Sequence, residues 1–377
     1  MSSAWIIAAR RTPVAPRGGA LSRLALHELA AASARACLED AGIASDSVEE
    51  LILGNGIGPG GNPARVAALA TGLPERVGGL TLDRQCCSGL DAVGLAAMLV
   101  ETGRAEIVLA GGAESYSRRP LRLATDPDGG PPRPYDQAPF TPWPERDPDM
   151  HEAADALGRK LGIPRAEQDA WAVESHAKAL DAQARAVTTG PYREIARVSG
   201  TDLEQDAFAR RLTPALARRA KPIAGEITSA NAAVAADGAA FCLVVSERIA
   251  RSAPGPAIRV GTWASLGGDP DLPGLAPVSA IRHVLEREAL RPETLCAAEI
   301  MEAYAVQAIA CVKGSGIDPA IVNRRGGALA RGHPVGASGA ILAVRLYHEL
   351  CKRGGTGIAA IAAAGGLGTA LALIRDR

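Results

Sequence analysis

Apolar positions along the chain form short runs that alternate with longer stretches of helical periodicity. Near the start, an apolar run at residues 4–8 is followed by a helical pattern over about 21–41 and a second run at 51–55. Short apolar runs are typical of buried strands, whereas apolar residues spaced three and four apart are typical of helices. Their alternation predicts an α/β protein with layered packing and a largely parallel, buried sheet in each half.

The same series of elements occurs twice, with an offset of about 250 residues. The matched pairs are the strands at 4–8 and 257–261, the helices at 21–41 and 277–290, the strands at 51–55 and 299–303, the helices that begin at Ser88 and Ser338, and the strands at 107–112 and 358–361. Two similar halves of this kind predict a molecule with a pseudo-twofold axis.

The repeat is interrupted between residues 116 and 228, where the composition also changes. Sequence rich in proline and aspartate leads there to a polar helical stretch over about 165–186. We interpret this segment as an inserted loop domain that covers a site. The predicted domains are an N-terminal half of residues 1–115 plus 229–250, the insert of residues 116–228, and a C-terminal half of residues 256–377.

Charge and cysteine content narrow the class of protein. The 377 residues include 41 lysines and arginines and 41 aspartates and glutamates, so no surplus charge favours nucleic acid or an anionic membrane as a partner. The apolar run 5–9 precedes Arg10 and Arg11, the reverse of the order in a signal peptide, and no run is long enough to span a bilayer. Seven cysteines without metal-ligand spacing favour a reduced, cytoplasmic protein.

A pair of cysteines directly before a helix is the densest chemical signal. Cys86 and Cys87 precede the helix that begins at Ser88. The free N–H groups and positive dipole end of a helix stabilise a thiolate, which predicts a cysteine pKa lowered from about 8.5 toward neutrality. One of the two cysteines is therefore a candidate nucleophile. The alternative is that both are small core residues.

The matching position in the second half carries a histidine. His333 lies between Gly332 and Pro334, a few residues before the helix that corresponds to the one after Cys86. If the pseudo-twofold axis brings the two helix starts together, a thiol and an imidazole meet as nucleophile and base. The alternative is a structural histidine.

These motifs occur in the order and at the spacing found in thiolases, and the chain resembles that family from end to end. The motifs are Arg11-Thr12-Pro13, Gly54-Asn55, Asn62-Pro63-Ala64-Arg65, Cys86-x-Ser88-Gly89-Leu90, Gly111-Gly112-Ala113-Glu114-Ser115, Thr228-x-x-Asn231, Asp237-Gly238-Ala239-Ala240 and Gly332-His333-Pro334-x-Gly336-x-Ser338-Gly339. The resemblance implies a thiolase-like fold. Its two pseudo-symmetric βαβαβαββ halves would pack as α/β/α/β/α layers.

The resemblance also implies roles for individual residues. Cys86 is then the nucleophile that becomes acylated, His333 activates it, and the backbone N–H groups of Cys86 and Ala364 bind the oxyanion. The insert holds coenzyme A, with Met150 near the acyl pocket. Asn231 and Ala233 match the pantetheine contact, where alanine replaces the family's serine. A coenzyme A thioester is then a substrate and no metal or covalently bound cofactor is needed. The expected assembly is a homodimer or homotetramer.

Two positions depart from the thiolase pattern. Met301 stands where the family has an asparagine that holds an oxyanion-hole water, and a thioether is a poor substitute because it donates no hydrogen bond. Ala362 stands where the family has the cysteine that abstracts the α-proton of the second acyl-CoA. Alanine cannot move a proton.

The sequence therefore predicts an acyltransferase that forms an acyl-enzyme on Cys86 and passes the acyl group to coenzyme A or to a non-standard acceptor. One alternative is an ordinary β-ketothiolase whose base is supplied by another residue, for which Glu302, Tyr304 and His333 are candidates. The other alternative is a thiolase-fold subunit that has lost catalysis and serves a larger complex.

Overall fold

The computed structural model describes residues 3–185 and 193–375. The first part contains β1 (Ala4–Arg11), β2 (Ala15–Pro16), α1 (Leu26–Ala41), β3 (Glu50–Gly54), α2 (Pro63–Thr71), β4 (Leu80–Leu82), α3 (Ser88–Glu101) and β5 (Ile107–Ser115). The next part contains β6 (Arg122–Ala124), β7 (Arg133–Tyr135), α4 (Met150–Leu161), α5 (Arg165–Ala184), α6 (Pro214–Arg218), β8 (Pro222–Ala224) and β9 (Ile227–Thr228). The last contains β10 (Ala236–Ser246), α7 (Glu247–Ala250), β11 (Ile258–Gly267), α8 (Ala276–Arg287), β12 (Ala297–Ile300), α9 (Ala305–Ser315), α10 (Ala328–Arg331), α11 (Val335–Arg353), β13 (Gly355–Ala363) and β14 (Leu367–Arg375). Among these helices, none is both long and apolar enough to cross a membrane.

The strand order confirms the predicted pseudo-twofold repeat. Strands pair in the order β12-β13-β14-β11-β1-β10-β5-β3-β4, and β2 pairs with β10. This order reads the same outward from the contact between β11 and β1, so that β1, β10, β5 and β3 correspond to β11, β14, β13 and β12. The two central strands are antiparallel and pair over two residues of each strand, Trp5 and Ile6 with Arg259 and Ile258.

The expectation of a largely parallel sheet is wrong, because each half is mixed. β3 is parallel to β5 and β12 is parallel to β13, whereas β10 and β14 run antiparallel to both of their neighbours. A single 3-10 turn, Ala364–Gly366, joins β13 to β14, and a connection that short permits only antiparallel pairing.

Helices cover both faces of each half-sheet, which confirms the five layers α/β/α/β/α. The α1–α2 pair packs on the outer face of the first half, where Leu29, Leu51 and Phe241 share one core. The α8–α9 pair covers the second half around Ile281 and Ile358. Helices α3 and α11 form the middle layer, in a core that includes strands of both halves. All 11 residues of β10 are accordingly buried, as expected for a strand covered on both faces.

Glycines allow α3 and α11 to meet backbone to backbone at the centre of the molecule. A Cβ atom on Gly89 would lie 2.7 Å from the Ala340 nitrogen and 2.7 Å from the Gly336 oxygen. A Cβ atom on Gly112 would lie 2.0 Å from that same oxygen, and one on Gly336 would lie 2.5 Å from Asn55 Cα. Real Cβ contacts do not come this close. A side chain at position 89 would force α3 and α11 apart, and one at 112 or 336 would push the start of α11 away from β5 or from the loop after β3.

The buried carboxylate of Glu114, on β5, contacts two other chain segments: the loop after β3 and the start of α11. Glu114 accepts hydrogen bonds from Asn55 Nδ2 at 2.8 Å, from the N–H groups of Gly56 and Ile57 at 3.1 and 3.2 Å, and from the Gly336 N–H at 3.0 Å. Burial raises the pKa of Glu114 to about 7, and the four donors oppose that shift. The residue thereby ties the loop after β3 to the start of α11.

Several element boundaries differ from the sequence-based prediction. α1 begins at Leu26 because the Glu28 carboxylate accepts from the Ala25 N–H and caps the helix there. α11 begins at Val335, directly after Pro334, where proline fits a helix start. β12 ends at Ile300, so residues 301–303 follow the strand. The helix predicted over 165–186 ends at Ala184, and residue 186 lies outside the described residues.

Replacing Gly89 by alanine is expected to lower the free energy of unfolding by about 1–3 kcal/mol, the typical cost of overpacking. Alanine otherwise favours a helix over glycine, so the loss would report the clash with α11. Gly158→Ala is the matched control, because Gly158 also lies inside a helix but its Cβ would meet neighbours at an ordinary 3.4 Å or more. Denaturant unfolding measures both variants. Equal stability of Gly89→Ala and wild type would contradict the account.

Candidate active site

Cys86 lies in a tight turn that its neighbours hold in place. The turn is the 3-10 segment Gln85–Cys87 immediately before α3, and Gln85 has a left-handed backbone with φ of 52°. Ser88 Oγ accepts from the Arg84 N–H at 2.7 Å and donates to the Gln85 carbonyl at 2.6 Å. The hydroxyl thus closes the turn and directs the thiol toward the second half of the molecule.

The two predicted chemical groups lie together where α3 and α11 begin. Cys86 Sγ is 3.1 Å from His333 Nε2, although 247 residues separate them in sequence. Both residues are partly buried at the wall of one cavity. A thiol and an imidazole at this distance can exchange a proton directly.

Hydrogen bonds on the far side of the imidazole set its tautomer. His333 Nδ1 lies 2.6 Å from Ser338 Oγ, and that hydroxyl donates to the Pro334 carbonyl at 3.0 Å. The tautomer protonated at Nδ1 satisfies both contacts, because the hydroxyl then accepts from Nδ1–H and gives its own proton to the carbonyl. Nε2 then carries a lone pair directed at the thiol, as a general base requires. Ser338 lies in a motif quoted above, but its contact with Nδ1 depends on the helix geometry.

The expectation of a stabilised thiolate is not met. Burial raises the pKa of Cys86 to about 12, with smaller contributions in the same direction from Glu114 and Asp83. Burial also lowers the pKa of His333 to about 4, and the positive charge of Arg331 adds to that shift. Burial thus favours the uncharged form of each group, a neutral thiol and a neutral imidazole in the resting pair.

The pair opens into a cavity of about 450 Å³, within the usual range for small-molecule sites. Both halves and the segment between them contribute to its walls. Its lining includes these residues singled out from the sequence: Cys86, Met150, Ala233, Tyr304, His333, Ala362 and Ala364. Cys86 and Ala364, whose N–H groups are the predicted oxyanion donors, thus share one cavity.

The two positions that depart from the thiolase pattern have different surroundings. Ala362 is on β13, is 9% exposed and lines the cavity beside the Cys86–His333 pair. Met301 directly follows β12, is fully buried in the central core and is not among the lining residues. A methyl group therefore faces the cavity at position 362, and a thioether fills part of the central core at position 301.

Two other candidates support the cavity from behind. Glu302 accepts from Trp171 Nε1, Ser175 Oγ, Asn323 Nδ2 and the Leu329 N–H, at 2.8 to 3.2 Å. A carboxylate committed to four donors and absent from the cavity lining is not placed to take a proton from substrate. These contacts favour a structural role for Glu302 over that of an accessory base.

Asn231, the other candidate, lies in a turn close to the cavity. The residue is fully buried, its Oδ1 accepts from the Thr228 N–H at 2.7 Å, and its Nδ2 donates to the Glu226 carbonyl at 3.1 Å. These bonds hold the turn that leads to Ala233, which does line the cavity. Asn231 therefore shapes the predicted coenzyme A contact without reaching it.

The second cysteine of the pair is a core residue. Cys87 is fully buried, and its Sγ donates to the Ile361 carbonyl over 3.6 Å. Burial raises the pKa of this thiol well above its ordinary value. The structure thereby resolves which of the two cysteines faces the cavity.

Sequence reasoning missed His151, in the first turn of α4. Its Nδ1 lies 3.1 Å from the hydroxyl of Tyr304, and the two rings meet edge to face. No motif or periodicity marked this histidine, because its partner is 153 residues away in sequence. Tyr304 itself was identified, and the structure places it on the cavity wall.

Comparison with known proteins gives matches over almost the whole chain. The family model "Thiolase, N-terminal domain" matches residues 4–248, and "Thiolase, C-terminal domain" matches residues 255–375. An acetyl-CoA acetyltransferase of Pseudomonas aeruginosa is 37% identical over 398 residues that span 100% of both proteins.

Two solved structures extend the likeness to three dimensions. Human mitochondrial 3-ketoacyl-CoA thiolase superimposes with a TM-score of 0.91 at 27% identity. The acetyl-CoA acetyltransferase of Bacillus anthracis superimposes with a TM-score of 0.89 at 33% identity. Each comparison covers 100% of this chain and 99% of the other.

The neutral resting pair predicts how alkylation of Cys86 depends on pH. Iodoacetamide reacts with thiolates, so its rate at Cys86 should climb steadily from about pH 6 to about pH 10 and stay below that of an ordinary thiol near neutrality. Mass spectrometry of the Cys86 peptide follows the rate, with Cys86→Ala as the control for the partly exposed Cys296 and Cys351. A plateau of rapid alkylation through acidic pH would instead indicate a preformed thiolate–imidazolium pair.

Proposed function

Because the chain belongs to the thiolase family, we propose that it transfers an acyl group from an acyl-CoA to Cys86 and from there to coenzyme A or to a non-standard acceptor. The family and the relatives identify the chain as an acyltransferase. The observation that carries the finer proposal is the 3.1 Å separation of Cys86 Sγ and His333 Nε2 at the wall of a cavity.

Acylation would begin with proton transfer inside this pair. His333 Nε2 takes the thiol proton as Cys86 Sγ attacks the thioester carbonyl, so the two charges arise together and only when substrate is present. The N–H groups of Cys86 and Ala364 then stabilise the oxyanion. The C–S bond to coenzyme A breaks, and the imidazolium returns its proton to the leaving thiolate.

The second half-reaction is where this chain would differ from its relatives. The methyl group of Ala362 can neither remove nor return a proton, and the thioether of Met301 cannot hold an oxyanion-hole water as an amide does. A carbanion that forms by decarboxylation needs no base at position 362. An already acidic carbon, or an oxygen or amine acceptor, does not need that base either.

A second candidate function is ordinary acetyl transfer between two acetyl-CoA molecules. It is favoured by the names of the relatives, several of which are acetyl-CoA acetyltransferases with full-length coverage. This function would require another group in the cavity to replace the proton transfer that Ala362 cannot perform.

The proposal includes a cytoplasmic location and a homodimeric or homotetrameric assembly. An exposed apolar surface at one end of the sheet supports self-association: Leu80 on the edge strand β4 is 47% exposed, and Val66 and Leu69 on α2 are exposed to a similar extent. Edge strands with apolar surroundings favour pairing with another chain.

Incubation with acetyl-CoA and longer acyl-CoAs should add one acyl group to the wild-type protein, visible by intact mass. Cys86→Ala should abolish the adduct, and His333→Gln should slow its formation by about 10²–10⁴-fold because the general base is lost. Cys87→Ala is the matched control and should keep the adduct. No adduct on the wild type, or one that persists in Cys86→Ala, would overturn the proposal.

The proposal of a non-standard acceptor depends on the absence of the family's asparagine at position 301 and cysteine at position 362. Introducing both residues should therefore restore thiolase chemistry. The double variant Met301→Asn/Ala362→Cys is expected to cleave acetoacetyl-CoA with coenzyme A at least about 10²-fold faster than wild type. Met301→Asn/Ala362→Ser is the control, because serine has similar size but is a far weaker base than cysteine thiolate. Wild-type cleavage already far above that of Cys86→Ala would favour the second candidate function.

A further inference from the structure

A tyrosine and a histidine form a second polar pair at the cavity. Tyr304 precedes α9, and its hydroxyl lies 3.1 Å from Nδ1 of His151 on α4. Asp149 caps α4 by accepting from the His151 N–H at 2.7 Å, which fixes the backbone that carries the imidazole. The pair therefore joins the segment between the halves to the second half.

The tyrosine is a protonated phenol in its resting state. Burial is the main cause that raises the pKa of Tyr304 above its ordinary value, and the negative charge of Asp149 raises it further. Tyr304 and Cys86 also line the same cavity. The phenol thus stays protonated while it faces the space around the nucleophile.

Other titratable groups on the described cavity wall are already engaged. His333 faces Cys86, Asp83 accepts from the Gln85 N–H at 2.8 Å, and Asp136 accepts from Arg119 at 3.1 Å. Tyr304 is distinguished by a partner, His151, that can accept a proton.

We propose that Tyr304 and His151 form the proton relay that activates the acyl acceptor in the second half-reaction. Tyr304 is then a catalytic residue that contacts the acceptor, and His151 is a positioning residue that accepts the relayed proton. The inference rests on the proposed function, since it assigns residues to the discharge of an acyl-enzyme on Cys86.

The relay balances without an additional reactant. As the nucleophilic atom of the acceptor attacks the acyl carbonyl, its proton passes to Tyr304 Oη and the phenolic proton passes to His151 Nδ1. The new acyl–acceptor bond forms, the thioester bond to Cys86 breaks, and the cysteine thiolate takes up a proton from water through His333. His151 releases one proton to water, so the enzyme returns to its starting state.

The test separates the two half-reactions. The acetyl-enzyme is formed with acetyl-CoA, freed of coenzyme A, and followed by intact mass as it discharges to ethanolamine, a probe that offers both an amine and a hydroxyl. Tyr304→Phe and His151→Gln should acylate as fast as wild type and discharge at least about 10²-fold more slowly. The double variant should be no slower than either single variant, because the two residues act as a unit.

Tyr116→Phe is the matched control, because it removes a phenol whose oxygen contacts Arg119 and no imidazole. It should acylate and discharge as wild type does. Three results would overturn the relay and leave the proposed function intact. They are discharge of the acetyl group at the wild-type rate by Tyr304→Phe, equal slowing of acylation and discharge, and additive losses of discharge rate in the double variant. Failure of the wild type to form any adduct would overturn both.

Discussion

The backbone contact between the starts of α3 and α11 is the constraint on which the rest of the structure depends. Glycines at positions 89 and 339 leave no room for a Cβ atom, so the two helices meet without intervening side chains. The two helices form one layer between two half-sheets whose strand order reads the same outward from the contact between β11 and β1. The helix contact also brings together two turns that are 247 residues apart, with Cys86 Sγ and His333 Nε2 at 3.1 Å. The contact that packs the two helices together therefore also brings the nucleophile and its base together.

Burial at this contact determines the resting protonation state of the nucleophile and its base. A low-dielectric surrounding disfavours both the thiolate and the imidazolium, so the pair rests uncharged. Ser338 orients the imidazole, and Glu114 holds the start of the helix that carries it. Charge separation is thus confined to the moment of attack, when an oxyanion also forms beside the pair. Electrostatic stabilisation is strongest in such a desolvated setting, provided the donors are already in place.

The sequence predicted the fold well because the signals were redundant: a repeat, strand and helix periodicity, and motifs in family order. It predicted the meeting of Cys86 and His333 because both precede matching helices. It failed where tertiary contacts decide the outcome. The position of Cys86 before a helix predicted a lowered pKa, whereas burial by the surrounding fold raises it. Glu302 and Asn231 are polar residues near cavity-lining ones, yet their partners are behind the wall. His151 had no local signal because its contact with Tyr304 is entirely long-range.

The proposed reaction keeps the half of thiolase chemistry that depends on Cys86, His333 and backbone donors, and alters the half that depends on side chains at 301 and 362. Its central claim is that Cys86 carries the acyl group. A crystal structure of the protein soaked with acetyl-CoA tests this most directly. The account predicts an acetyl group bonded to Cys86 Sγ, with its oxygen about 3 Å from the N–H groups of Cys86 and Ala364. An intact thioester away from Cys86, or an acetyl group on another residue, would contradict it.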